Sequence, residues 1–173
     1  SGIAAALLPN GRTVCSRFGL QVPLPEEGAQ PRLSATEAKG ILLQAADLIL
    51  WDEVSMTPKT AVTAADDCLK DLCQTDAPFG GKVVVFGGDF RQVLPVVPRA
   101  DAEGIKAQAV TRHPYFVDGR VERHSLAENK RAARDEAYAD FLLRLGDGAL
   151  PVCSAISPNA IKLPEEVLAP ADE

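Results

Sequence analysis

The chain has 173 residues, 46% of them hydrophobic and 24% charged, with a formal net charge of −6. That balance belongs to a folded domain of ordinary size and excludes a disordered tail, a collagen-like repeat and a coiled coil. The longest nearly uncharged apolar run, Ile41–Trp51, is broken by Gln44 and Asp47 and falls far short of the roughly 20 residues that cross a bilayer, so no membrane partner is expected. The chain opens Ser1-Gly2-Ile3-Ala4-Ala5 without a basic stretch and apolar core of the secretory kind, and it reads as the middle of a longer sequence. An acidic total does not announce a nucleic-acid binder, yet the charge is unevenly spread. Residues 1–25 hold Arg12 and Arg17 and no acid, and residues 111–134 hold six cations against three acids. Cys15, Cys68, Cys73 and Cys153 form no C-x-x-C pair, which points to packing cysteines in a reducing compartment rather than zinc or a disulfide framework.

In chain order, an Ala/Leu helix end is followed by a turn at Pro9-Asn10-Gly11, and residues 23–31 form a loop rich in breakers. Ser34-Ala35-Thr36-Glu37 has the pattern of a capping box and predicts a helix to about Ala46. Asp47–Trp51 is a short apolar run ending in Asp52-Glu53, as expected of a buried parallel strand. Thr57-Pro58 predicts an N-cap with proline at the first helical position, opening a helix through Cys73. After a turn at Pro78–Gly81, Lys82–Phe86 predicts a second buried strand, stopped by Gly87-Gly88. Val121–Leu126 is a third strand candidate. Ala132–Leu145 predicts an amphipathic helix with Ala137, Phe141, Leu142 and Leu145 on one face, and Gly146-Asp147-Gly148 ends it. Strands alternating with helices indicate an α/β fold with a parallel sheet.

Four segments carry residue types suited to chemistry. Adjacent Asp52 and Glu53 at the carboxyl end of a buried strand occupy the edge where open α/β sheets bind ligands. There Asp52 suits a water-mediated Mg²⁺ ligand and Glu53 a base for an attacking water, although a strand can simply end in polar residues. Gly87-Gly88-Asp89-Phe90-Arg91-Gln92 follows the second strand: glycines allow close approach to a phosphate, and the Gln92 amide can sense a terminal phosphate or position water. A tight turn, with Asp89 as its turn acid, is the plainer reading of those residues. Lys130-Arg131 offers a guanidinium for a transferring phosphoryl group, or a solvated basic turn. Gly11–Phe18 combines two arginines, two hydroxyls and an aromatic, suited to gripping a phosphodiester backbone, with Phe18 more naturally a core residue.

The order of these segments resembles the PIF-type (petite integration frequency) DNA helicases, in particular the branch found in Helitron transposons. The resemblance rests on S-G-I-A-A, G-R-T-V-C-S-R-F, L-I-L-W-D-E-V-S-M, G-G-D-F-R-Q-V-L-P and L-A-E-N-K-R, and covers roughly residues 1–148. It implies a RecA-like P-loop NTPase fold with a mainly parallel sheet, and an ATP-driven 5′-to-3′ translocase with two motor domains. Asp52 and Glu53 then match the Walker B acids, Gln92 the γ-phosphate sensor with Gly88 and Asp89 in its loop, and Arg131 the arginine that completes the ATP site. Thr13 and Ser16, with Arg17 beside them, fall in the segment that contacts single-stranded DNA; Cys15 stands where the family usually has histidine.

No G-x-x-x-x-G-K-[ST] occurs in the 173 residues, since Gly80-Gly81-Lys82 lacks both the spacing and the following hydroxyl. The expected organisation is therefore a partial motor domain over 1–150, incomplete without its P-loop strand and second motor domain, and a loosely ordered tail over 151–173. The expected function is an ATP-dependent DNA helicase using Mg²⁺ and ATP on single-stranded DNA and DNA forks, nuclear by family, with a mitochondrial or viral setting left open. The resemblance suggests repair, recombination, telomere maintenance or transposition without choosing among them. The alternatives are a non-catalytic transposon-derived remnant that retains DNA affinity, and a RecA-like nucleotidase unrelated to DNA.

Overall fold

A computed structural model describes residues 2–22, 24, 33–130, 135–157 and 160–164. It divides into two compact units, residues 1–123 and 124–173. In the first unit, helices α1 (Gly2–Leu7), α2 (Val14–Phe18) and α3 (Ala38–Ala45) precede strand β1 (Leu48–Trp51). Helix α4 (Lys59–Cys73), strand β2 (Val83–Phe86) and helices α5 (Ala102–Gln108) and α6 (Pro114–Val117) follow. The second unit holds helix α7 (Glu136–Gly146), capped by the Asp135 side chain accepting from Tyr138 N, and an isolated antiparallel bridge between Val152 and Ile161.

The strands β1 and β2 pair in parallel, with Leu48 opposite Val83 and Trp51 opposite Phe86. Both predicted strands are present, but only one face of each is covered. Ile49, Trp51, Val84 and Phe86 join the core, while Leu48, Leu50, Val83 and Val85 are about half exposed on the opposite face. Burial thus alternates with the period-two geometry of a strand although the sequence is apolar at every position. Among the described residues no element covers the outer face. The third predicted strand does not form: residues 122–130 have no regular structure, and Val121 only packs against the core.

The core is organised on α4, whose Ala61, Val62, Ala65, Cys68, Leu69 and Leu72 are all buried. Small residues on this face let neighbouring elements approach closely. A run of aromatic contacts crosses the sheet's inner face, from Phe18 stacked on Trp51 at 6.2 Å, through Phe86 at 5.9 Å from Trp51, to Phe79 and Phe116. This settles Phe18 as a core residue.

In the first unit two helix starts differ from the sequence expectation, and in the second the helix expected from Ala132 begins at Glu136. Ser34 does not cap α3; its Oγ instead bonds Thr36 within a tight turn, and the helix begins only at Ala38, after an uncapped Glu37. Gly40 packs closely on this turn, where a Cβ would lie 2.1 Å from the Ser34 carbonyl oxygen. Helix α4 likewise starts one residue late, with Pro58 rather than Thr57 at the N-cap position. Lys82 donates to the carbonyls of Gln44 and Ala46 at 2.8 and 2.9 Å, so it closes the C-terminus of α3.

Candidate active site

The carboxyl ends of β1 and β2 are stitched together beyond the strands themselves. Gly87 N donates to Trp51 O and Val54 N donates to Gly87 O, both at 2.9 Å. The two glycines make this contact close. A Cβ on Gly87 would lie 3.2 Å from Asp52 Oδ1, and one on Gly88 would lie 3.2 Å from the backbone nitrogens of both Val54 and Ser55. The sequence-predicted pairs Asp52-Glu53 and Gly87-Gly88 therefore meet at one place, although 35 residues separate Asp52 from Gly87.

Within this place the carboxylates are held differently. Asp52 is exposed, and its Oδ1 accepts Glu53 N at 2.9 Å, which orients the carboxylate on its own turn. Glu53 adopts the left-handed conformation, φ 54° and ψ 41°, which costs a non-glycine residue on the order of 1 kcal/mol. Its Oε2 is buried without a hydrogen-bond partner. A strained, half-buried carboxylate with an orphaned oxygen is the arrangement expected where local stability has been given up for chemistry.

Asp89 organises the next turn. Its Oδ1 accepts Arg91 N at 3.0 Å, its carbonyl accepts Gln92 N at 3.1 Å, and its Oδ2 lies 3.4 Å from Gln92 Nε2. Asp89 thus serves as a turn acid that fixes the exposed Gln92. No hydrogen bond joins Gln92 to Asp52 or Glu53 among the described residues.

A cavity of about 360 Å³ opens between the α1–α2 segment, α3 and β1. Thr13, Arg12 and Arg17 line it together with Asp52. Thr13 also caps α2 by accepting Ser16 N at 3.3 Å, and Arg17 donates to Asn10 O at 2.9 Å, shaping the loop between α1 and α2. Ser16 is exposed, and the partly exposed Cys15 sends its carbonyl to Leu20 N. Arg131 lies outside the described residues, next to an ion pair between Lys130 and Glu128.

Sequence reasoning passed over two groups. Ser55, buried at the same strand end, has an Oγ with no hydrogen-bond partner. Asp66, on α4, is buried and fully engaged: it accepts Phe79 N at 2.6 Å, the Tyr115 hydroxyl at 2.7 Å and Lys70 Nζ at 2.7 Å. A lone acid among the alanines of a buried helix face was its one available signal.

A family model described as PIF1-like helicase matches residues 1–154. The chain belongs to the PIF1-like helicase family. It is 34% identical over 105 residues to the ATP-dependent DNA helicase Pif1 of Psychrobacter sp. (strain PRwf-1), covering 59% of this chain and 16% of that protein. It is 35% identical over 96 residues to the protein of the same name from Bdellovibrio bacteriovorus, covering 54% and 21%. A crystal structure of Pif1 helicase from Bacteroides in complex with ADP-AlF3 and ssDNA matches with a TM-score of 0.66 at 25% identity, over 87% of this chain and 36% of that one. The chain thus spans about a fifth or less of the length of these curated relatives. The RecA-like α/β class expected from the sequence holds, with a small, incomplete parallel sheet. No helix among the described residues is long and apolar enough to cross a membrane.

Proposed function

We propose that these residues work as part of the first motor domain of an ATP-dependent DNA helicase, which couples ATP hydrolysis to 5′-to-3′ movement on single-stranded DNA. The observation that carries this reading is the junction of Asp52-Glu53 with Gly87-Gly88 at the carboxyl ends of two parallel strands in a PIF1-like chain. Glu53 is the general base: its carboxylate takes a proton from the water that attacks the γ-phosphate, and its orphaned oxygen is free to accept. Gln92, fixed on the Asp89 turn, reads the γ-phosphate, and Arg131 stabilises charge on the transferring phosphoryl group.

The chemistry at Asp52 fits Mg²⁺. No cluster of three or more metal-ligating side chains exists among the described residues, and Mg²⁺ is commonly held by one or two carboxylates with waters and phosphate oxygens. Asp52, exposed and oriented by its bond from Glu53 N, would hold the ion, which supplies charge neutralisation for the phosphates when bound. Thr13, Ser16 and Arg17 form the DNA-contacting segment. Thr13 keeps its hydroxyl proton free to donate to a phosphate while capping α2, and the acid-free stretch around it favours a polyanion. Single-stranded DNA and DNA forks are the proposed partners, and a nuclear role in repair, recombination or telomere maintenance is the proposed setting.

In a protein that joins this segment to a phosphate-binding loop and second motor domain, Glu53→Gln lowers ATP hydrolysis at least about a hundredfold and leaves nucleotide binding in place. Normal turnover by that variant would remove Glu53 from the role of base. The 173 residues alone, which hold no G-x-x-x-x-G-K-[ST], show no DNA-stimulated hydrolysis on this reading. Salt-sensitive binding of single-stranded DNA without any hydrolysis in the longer protein would favour the remnant, non-catalytic alternative.

A further inference from the structure

Ser55 lies in the short 3₁₀ turn Val54–Met56 that Glu53 opens, and it is 4% exposed. Its Oγ has no hydrogen-bond partner, and neither has the buried Oε2 of Glu53 two residues earlier. Two orphaned buried oxygens on one turn are costly, because each has given up water without replacement. They are also chemically complementary, since a hydroxyl donates and an ionised carboxylate only accepts. On its other side Ser55 meets the second strand end: a Cβ on Gly88 would lie 3.4 Å from Ser55 Oγ and 3.2 Å from Ser55 N. Ser55 thus lies two residues from Glu53 on one turn and against Gly88, where the loop that leads to Gln92 begins.

We propose that Ser55 is a positioning residue for Glu53. Its hydroxyl donates to the Glu53 carboxylate, by a change of rotamer or across one bound water, and so holds that carboxylate against the Gly87-Gly88 strand end. A polar site with two partners is what a single bridging water requires. The importance of the contact for hydrolysis rests on the reading of Glu53 as base; the contact itself does not.

The decisive experiment is a double-mutant cycle on the thermal stability of the 173-residue chain, with Ser55→Ala, Glu53→Ala and both together. If Ser55 serves Glu53, Ser55→Ala lowers Tm by about 3 °C in the native background and leaves it unchanged or higher once Glu53 is alanine. An idle buried hydroxyl behaves otherwise: its removal raises Tm equally in both backgrounds, and equal shifts overturn the proposal. Ser55→Cys, which keeps the volume and only a weak donor, takes the place of alanine in the same cycle should the alanine variant not fold. In the ATP-hydrolysing protein, Ser55→Ala lowers kcat about tenfold to a hundredfold and leaves KM for ATP within about twofold. A change in KM with kcat preserved also overturns the proposal. A coupled cycle together with full hydrolysis by Glu53→Gln would instead discard the base assignment and keep the contact.

Discussion

Asp66 and Glu53 are acids in the same compact unit, and the protein treats them in opposite ways. Asp66 sits in the middle of a regular helix with each carboxylate oxygen engaged, one by Phe79 N and the other by Tyr115 and Lys70. Glu53 sits in a strained left-handed conformation with one oxygen buried and unpartnered. The first carboxylate holds the fold together, whereas the second leaves one oxygen without a hydrogen bond. The Asp66 bonds pin the turn Pro78–Gly81 to α4, a turn in which Phe79 itself is left-handed at φ 51° and Gly80 has no room for a Cβ beside Leu69 O. That turn feeds directly into β2, so Asp66 fixes the strand whose end meets Glu53.

The largest effect expected from this contrast is at Asp66. Asp66→Ala leaves Phe79 N and the Tyr115 hydroxyl without their acceptor in a buried setting, and should destabilise the chain by about 3 kcal/mol. Asp66→Asn, which keeps one acceptor oxygen, should lose about half of that. Denaturant unfolding measures both. A loss no greater than that of an exposed acid such as Glu103 would mean that the cluster holds nothing together.

Glu53 should respond with the opposite sign. With Ser55 already alanine, so that no contact between the two side chains is lost, Glu53→Gly removes the left-handed penalty and the orphaned oxygen together, and should raise stability by up to about 1 kcal/mol against the added chain entropy. The same change should abolish hydrolysis in the longer protein. A stable, inactive variant supports the contrast. Lost stability would show that Glu53 is a structural residue like Asp66.

The α/β class, both paired strands and the polar or glycine-rich ends of those strands were legible in the sequence, because local signals agree there. Apolar runs end abruptly in Asp52-Glu53 and Gly87-Gly88, and nothing distant is needed to read them. The expected third strand at Val121–Leu126 was not legible in the same way, since β-propensity is a weak guide without a neighbour to pair with. The capping box at Ser34 failed for a related reason: the S-x-x-E spacing was met, but Ser34 found Thr36 first. Burial on both strand faces was overestimated because an all-apolar run does not reveal which layers are present to cover it. Of the site residues, Asp52, Glu53 and Gly87-Gly88 come together as the spacing suggested, and Gln92 stays on its own turn. Asp66, His113 and Tyr115 escaped notice because their partners lie far away in sequence, 49 residues in the case of Asp66 and Tyr115.

The smallest expected effect concerns His113, which packs beside this cluster and tests how dry it is. His113 is 4% exposed, its ring lies 4.9 Å from that of Tyr115, and its Nδ1 accepts Tyr115 N at 3.3 Å. That hydrogen bond requires a neutral ring with the proton on Nε2. Burial is the main cause holding its pKa below the ordinary 6.5, outweighing the nearby Asp66 carboxylate, which pulls the other way. A lowered folded-state pKa means that the unfolded chain gains a proton near pH 6.5 that the folded chain refuses. Stability is therefore full above that pH and declines as pH falls toward the folded value. Between pH 7 and 6 the decline from this residue is at most about 0.7 kcal/mol. His113→Asn should flatten the stability profile in that window, before the carboxylates begin to titrate. An unchanged slope would mean that water reaches the ring, and with it that Asp66 is less secluded from solvent than its three partners imply.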